Sequence, residues 1–282
     1  MSELSNAEYT LYSFPFSLYS MMARHTIQLG PTTPGAMPPN KISLGFINHR
    51  KNETLGEDYL LRVNPKGQVP TMTGNVLEQP LTDSLSISLY LAEKHYPAML
   101  PADHEAVIRN LLNRIHAIYG LSFSHKNPTA EMRLHNPSPV EDILKATDLS
   151  PEYRLALEAK LSFHNKNNGV AFQPAVVAKA RTDLQTIFAE ITEHRRRGGA
   201  SDNEAEWTFG AQVGPTVLDS HLLPLVLRCI DADNAELVPQ ELREWAGVKA
   251  KSPVWQGVMH GRPTTWDPSM GPVADMHEMM SL

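Results

Sequence analysis

Asn64-Pro65-Lys66-Gly67-Gln68-Val69-Pro70-Thr71, followed a dozen residues later by Asp83-Ser84-Leu85-Ser86-Ile87, is the stretch that decides the fold. Asn64-Pro65 stops a helix, Lys66-Gly67 makes a turn, and Gln68-Val69 enters a strand whose next residue is proline. Proline donates nothing to a ladder, so Pro70 leaves the backbone groups of Val69 without regular pairing. X-Pro bonds alone reach the cis form cheaply, and a cis Val69-Pro70 bond would turn those groups outward to hold an extended peptide. Asp83-Ser84 opens an apolar run with helical spacing (Leu85 and Leu89, Ile87 and Leu91), where free backbone N–H groups can bind a carboxylate.

Outward from this stretch, Tyr9 to Phe14 alternates as a first strand and Ser17 to Leu29 reads as the following helix, closed by Gly30. Residues 31–39 hold four prolines and form a long loop. Ile42 to Asn48 predicts a second strand, Gly56 to Val63 a short helix, and Thr71 to Thr73 a third strand. Val76 to Glu78 predicts a fourth across a Gly74-Asn75 turn. With Asp83 to His95 as a third helix, the order β-α-β-α-β-β-α ends near Tyr96-Pro97, giving a first domain over residues 1–97.

From Asp103 the strand signals vanish. Helices are predicted at about 103–126, 151–165, 173–197, 216–231, 239–250 and 252–259, with loops around 127–150 and 198–212, so residues 103–260 read as an all-helical second domain. Thr216-Val217-Leu218-Asp219 has the form of a capping box, which makes Asp219 a folding residue. Residues 261–282 contain Pro263, Pro268 and Pro272 and cannot be one long helix. This tail either frays or is anchored by Trp266 over the second domain, where it would help roof a pocket; a partial anchor is expected.

Composition narrows the function. The 282 residues carry 25 basic and 31 acidic side chains, a net charge of −6, which gives no reason to expect nucleic acid as a partner. The basic run His194-Arg195-Arg196-Arg197 closes a helix, where cations complement the dipole. The single cysteine, Cys229, excludes an internal disulfide and sits in the apolar run Leu222 to Ile230 as a small hydrophobe. No run approaches the ~20 residues of a membrane span, and Met1 to Thr10 lacks a signal-peptide pattern, so the cytoplasm is the expected location. The 12 histidines form no metal-ligand pattern, and no metal is expected.

The asparagine-proline turn into Gln68-Val69-Pro70, with Asp83-Ser84 at the later helix start, resembles the glutathione-binding half of the glutathione transferase superfamily. The resemblance implies an α/β thioredoxin-like N-terminal domain followed by an all-α helical C-terminal domain. Gly214-Pro215 and the box at Thr216 are similar to the start of that family's central core helix. It also implies a twofold homodimer.

The resemblance further implies glutathione as co-substrate, with Val69 pairing with its cysteinyl unit beside Pro70, and Asp83 and Ser84 taking the γ-glutamyl end. Gln68, with Lys66 or Lys51, would meet the glycyl carboxylate. Glutathione chemistry needs a thiolate, and moving a thiol about two units below its usual ~8.5 takes roughly 2.7 kcal/mol of preferential anion stabilisation. A hydroxyl donor and a helix N-terminus can supply it together. Leu11-Tyr12-Ser13 with Ser17, Ser20 and Arg24 is similar to the zeta class, whose serine-serine-cysteine start matches only at Ser17; Leu18 and Tyr19 replace the other two. Tyr9-Thr10-Leu11 is also similar to a fungal class related to the yeast nitrogen-regulator prion protein, in which Tyr19 falls on an asparagine near the thiol. The candidate thiolate donors are thus Ser17, then Tyr19, then Ser13; Ser17 is equally a candidate N-cap.

An electrophile would lie against the first long helix of the second domain, where His116, Tyr119 and Phe123 share a face by i, i+3, i+7 spacing. The expected function is a glutathione S-transferase acting on a small-molecule electrophile. The long segments at 31–40 and 127–150 hint at a biosynthetic intermediate of secondary metabolism. Glutathione-dependent cis-trans isomerisation is the second reading, and a non-catalytic glutathione-binding module is the third.

Overall fold

The computed structural model describes residues 6–125, 128–199 and 206–280. Six of the residues in the polar connection expected around 198–212 therefore lie outside the described residues. The chain begins with β1 (Glu8–Ser13), α1 (Leu18–Leu29), β2 (Lys41–Phe46), β3 (Thr71–Gly74) and α2 (Ser84–Lys94). The sheet order is β2-β1-β3. β1 runs parallel to β2, from Glu8 opposite Lys41 to Ser13 opposite Phe46, and antiparallel to β3, from Tyr9 opposite Gly74 to Tyr12 opposite Thr71. Alternation puts Tyr9, Leu11 and Ser13 of β1 on the buried face. This is the N-terminal thioredoxin-like domain.

The fourth strand expected at Val76 to Glu78 does not form. Leu81 alone pairs with Met72 across that edge, exchanging two hydrogen bonds of 2.9 Å. Asn75 instead turns its side chain to the edge of β1, accepting from the Glu8 N–H at 2.8 Å, and Pro80 has no N–H to extend a ladder. The short helix expected from Gly56 is a wide turn at Tyr59–Val63.

The remainder is mostly helical: α3 (Glu105–His116), α4 (Leu121–Ser124), α5 (Ala130–Leu134), α6 (Val140–Ile143), α7 (Pro151–Lys166), α8 (Pro174–Arg197), α9 (Val217–Asp231), α10 (Gln240–Lys249) and α11 (Pro253–Met259). The single helix expected over 103–126 is broken at Ala117–Gly120, where the ladder tightens into turns before α4. The loop expected around 127–150 contains the short helices α5 and α6.

α1 is buried nearly all round because it packs against α2, α9 and α11. The apolar core is therefore continuous from Leu11 and Met72 through Met21 and Ile27 to Leu222, Val226 and Trp245. α9 starts with the expected capping box: the Asp219 carboxylate accepts from the backbone and hydroxyl of both Thr216 and Thr208 at 2.6–3.0 Å. Four donors on one fully buried carboxylate make it a fixed corner of the helical core.

The tail folds back: Thr264 is held by Arg228 and Asp231 of α9, but Trp266 is anchored on the sheet part and not, as expected, over the helical one. The Arg50 guanidinium stacks 3.7 Å from the Trp266 ring centre, the His277 ring lies 4.2 Å from Phe46 of β2, and Met276 and Met279 are buried. Arg24 of α1 donates to the Met279 carbonyl.

Candidate functional site

A cavity of about 450 Å³ lies between the sheet domain and the helical remainder. One wall comes from three places in the thioredoxin-like part: Ser17, Leu18 and Tyr19 at the start of α1, Gln68-Val69-Pro70, and Thr82-Asp83-Ser84 at the start of α2. The opposite wall is His116, the Ile118-Tyr119-Gly120-Leu121 turn, Phe163 and Asn167-Asn168 from the end of α7, and Arg228 of α9.

The first wall presents unpaired polar groups. The Val69-Pro70 bond is cis, and neither the N–H nor the C=O of Val69 has a hydrogen-bond partner among the described residues. Its neighbour Gln68 is fixed: its carbonyl accepts from Tyr59 Oη at 2.7 Å and Asn64 Nδ2 at 2.9 Å. Gly67 turns the chain with φ +55°, and the Lys160 Nζ from α7 donates to the Lys66 and Gly67 carbonyls at 2.6 and 3.2 Å. Burial pushes that ammonium down to about 8. The Ser84 Oγ at the first turn of α2 is buried with no hydrogen-bond partner among the described residues. A buried hydroxyl without a partner beside a helix N-terminus is an unfilled polar position in the cavity wall.

Asp83 is the N-cap of α2: Oδ1 accepts from the Ser86 N–H and Oδ2 from the Ser86 hydroxyl, both at 2.8 Å. Ser17 likewise caps α1, accepting from the Ser20 N–H at 3.3 Å. Capping occupies a lone pair of Ser17 and leaves its O–H proton free to donate into the cavity, so the two roles are compatible. The Tyr19 hydroxyl donates to the Ile118 carbonyl at 3.3 Å; burial raises its pKa, while the Gly120 backbone and the Arg228 charge oppose the rise.

His116 Nε2 meets His221 Nδ1 at 2.9 Å, and its ring lies 5.6 Å from that of Tyr19. Burial pushes the His116 imidazole down to about 4. Arg228 is 7% exposed; Nη2 donates to the Phe16 and Thr264 carbonyls, each at 2.7 Å.

Of the residues singled out in the sequence, Ser17, Tyr19, Gln68, Val69, Pro70, Asp83, Ser84, His116 and Tyr119 line this cavity. Four do not. Ser13 faces inward from β1, its Oγ fully buried. Lys51 and Lys66 are exposed on turns, and Lys66 contributes its carbonyl to Lys160 instead. Phe123 is in the core, because the break after His116 ends the i+7 relation. The tail and Trp266 are also absent from the lining.

Sequence reading missed His49, Phe163 and Arg228, which line the cavity, and Lys160 behind the turn. Arg228 left a signal, a cation inside the otherwise apolar run Leu222 to Ile230. Cys229 beside it is buried, which pushes its thiol up to about 12. Among the described residues no group of three or more potential metal ligands occurs, and no helix is long and apolar enough to cross a membrane.

Residues 11–98 match the family model described as the glutathione S-transferase N-terminal domain. No curated protein sequence matches the chain. Among solved structures, it is similar to glutathione transferase F2 from Populus trichocarpa, with 17% identity, a TM-score of 0.53, and coverage of 89% of this chain and 97% of that one. It is similar to a holo bacterial maleyl pyruvate isomerase, a zeta-class glutathione S-transferase, with 18% identity, a TM-score of 0.52 and coverage of 88% and 95%. A glutathione transferase family member from Pseudomonas fluorescens pf-5, with two glutathione bound, gives 14% identity, a TM-score of 0.56 and coverage of 92% and 94%. At these identities the likeness is one of fold.

Proposed function

We propose, starting from a chain that carries a glutathione S-transferase N-terminal domain and the fold of that superfamily, that it binds glutathione and activates its sulfur for attack on a small electrophile. The observation that carries this reading is the meeting of the unpaired Val69 backbone with the α2 N-terminus and its partnerless Ser84 hydroxyl in one cavity wall. An extended tripeptide supplies what that wall lacks: a backbone N–H and C=O for Val69, and a γ-glutamyl carboxylate for the first turn of α2. In this pose the thiol points to the start of α1, where the Ser17 O–H donates to the sulfur.

The electrophile then sits against His116, the 118–121 turn and Phe163. Attack forms a C–S bond and gives a thioether. If the electrophile has a conjugated double bond, elimination after rotation returns glutathione and gives the isomer, so product mass separates the two outcomes. We place the reaction in the cytoplasm on a biosynthetic intermediate of secondary metabolism, with the chain as a homodimer; light scattering of the purified protein tests the dimer. Calorimetric titration with glutathione tests the binding, and a thiolate absorbance difference on the bound tripeptide separates an enzyme from a non-catalytic binding module.

A further inference from the structure

Among the described residues, Arg228 of α9 brings a guanidinium to the lining of this cavity. Its guanidinium is held from three sides: Nη2 donates to the carbonyls of Phe16 and Thr264, and Nε lies 3.4 Å from Thr264 Oγ1. Thr264 is itself held by Asp231, whose Oδ2 accepts from its N–H at 2.7 Å and its hydroxyl at 2.6 Å. The remaining nitrogen, Nη1, makes no hydrogen bond among the described residues and is not sealed from solvent, although the residue is more than nine-tenths buried and lines the cavity. Phe16 immediately precedes Ser17, so the bond to its carbonyl places the guanidinium at the mouth of the α1 N-terminus.

We infer that Arg228 is the charged partner of the glutathione sulfur, its Nη1–H donating to the thiolate beside the Ser17 hydroxyl; this rests on the function proposed above. A fixed, poorly hydrated cation with an unused N–H stabilises an anion at that point; among the described residues no carboxylate hydrogen-bonds to it, although the Asp231 charge favours the cation. Asp231 on α9 is turned to Thr264, and Asp83 at α2 to Ser86. Tyr19 on α1, His116 on α3 and His49 line the same cavity as neutral groups, the phenol raised and both imidazoles lowered by burial. Burial lowers Arg228 itself to about 10, which leaves it cationic at neutral pH. The thiol proton leaves to solvent and the arginine keeps its own. An opposite charge within ~4–6 Å lowers a thiol pKa by about 1–3 units, a size of effect that a lone serine hydroxyl need not supply.

The test is an ultraviolet pH titration of the bound thiol in the parent, Arg228→Gln and Arg228→Lys, alongside calorimetry with S-methylglutathione, whose sulfur cannot ionise. Arg228→Gln should bind S-methylglutathione within about threefold of the parent while its bound thiol titrates about one unit or more higher, with Arg228→Lys in between. An unchanged thiol pKa in Arg228→Gln overturns the assignment and leaves the proposed function standing. Failure of the parent to bind S-methylglutathione or glutathione overturns both. If loss of the Phe16 and Thr264 bonds unfolds the glutamine variant, the parent decides alone. Glutathione sulfonate, with a permanent anion at the sulfur, should bind at least about tenfold tighter than S-methylglutathione, and equal binding contradicts the assignment.

Discussion

His116 Nε2 and His221 Nδ1 lie 2.9 Å apart, the first ring in the cavity wall and the second fully buried behind it. His221 Nε2 continues to Ser88 Oγ at 2.9 Å, and Ser88 to Thr26 and Thr26 to Ser220, each at 2.8 Å. This polar chain ties α3, α9, α2 and α1 together behind the site. One ring must donate and the other accept, so protonating both imidazoles sets two N–H groups against each other and breaks the bond.

Stability should therefore fall in mild acid. Burial holds His25 and His116 down at about 4 and His221 well below 6.5. Between about pH 6.5 and pH 4 the unfolded chain binds more protons than the folded one, so the stability is complete above about 6.5 and lost as pH falls through that window. Each buried imidazole adds a slope of at most about 1.4 kcal/mol per pH unit. Urea midpoints across this range should drop steeply in the parent and less steeply in His221→Gln; parallel curves would contradict the assignment.

Asp219→Ala should damage folding and leave chemistry alone. It strands the buried donors of Thr208 and Thr216 and removes a helix cap, a loss of about 3 kcal/mol or more. Chemical denaturation measures the loss, while kcat per folded molecule should match the parent.

Lys160→Met should act on glutathione at a distance. Its ammonium holds the Lys66 and Gly67 carbonyls, the turn from which Gln68 and Val69 enter the cavity. Losing charge-assisted bonds worth about 1.4 kcal/mol corresponds to about tenfold weaker glutathione binding, with little change in the thiol pKa once bound. Calorimetry and thiolate titration on the variant check both halves.

Much of this was legible in the sequence. Val69-Pro70, the caps at Ser17 and Asp83 and the box at Thr216-Asp219 are local devices, set by residues a few positions apart, and such devices can be read from order alone. The fourth strand failed because strand formation needs a partner edge, and Asn75 and Pro80 withhold it. The i+7 spacing puts Phe123 on the face of His116 only in an unbroken helix, and α3 ends at His116. Lys51 and Lys66 carry charge near the turn in sequence, whereas the ammonium that touches the turn comes from Lys160, about ninety residues later in the chain. Arg228 belongs to the same class of long-range fact: only folding brings it to Phe16.

Ser17→Ala should separate binding from activation. It removes the α1 N-cap, a loss of about 1 kcal/mol in stability, and the hydroxyl proposed to donate to the sulfur. Tyr19→Phe, whose hydroxyl is occupied by the Ile118 carbonyl, should leave the thiol pKa much closer to that of the parent.

The most direct measurement is calorimetric titration of glutathione into the parent and Ser17→Ala, with ultraviolet absorbance of the bound thiolate at neutral pH. The account predicts binding by both, a thiolate signal in the parent and a reduced signal in Ser17→Ala. Binding by the parent without any thiolate signal would contradict the activation claim, and no binding at all would contradict the glutathione site itself.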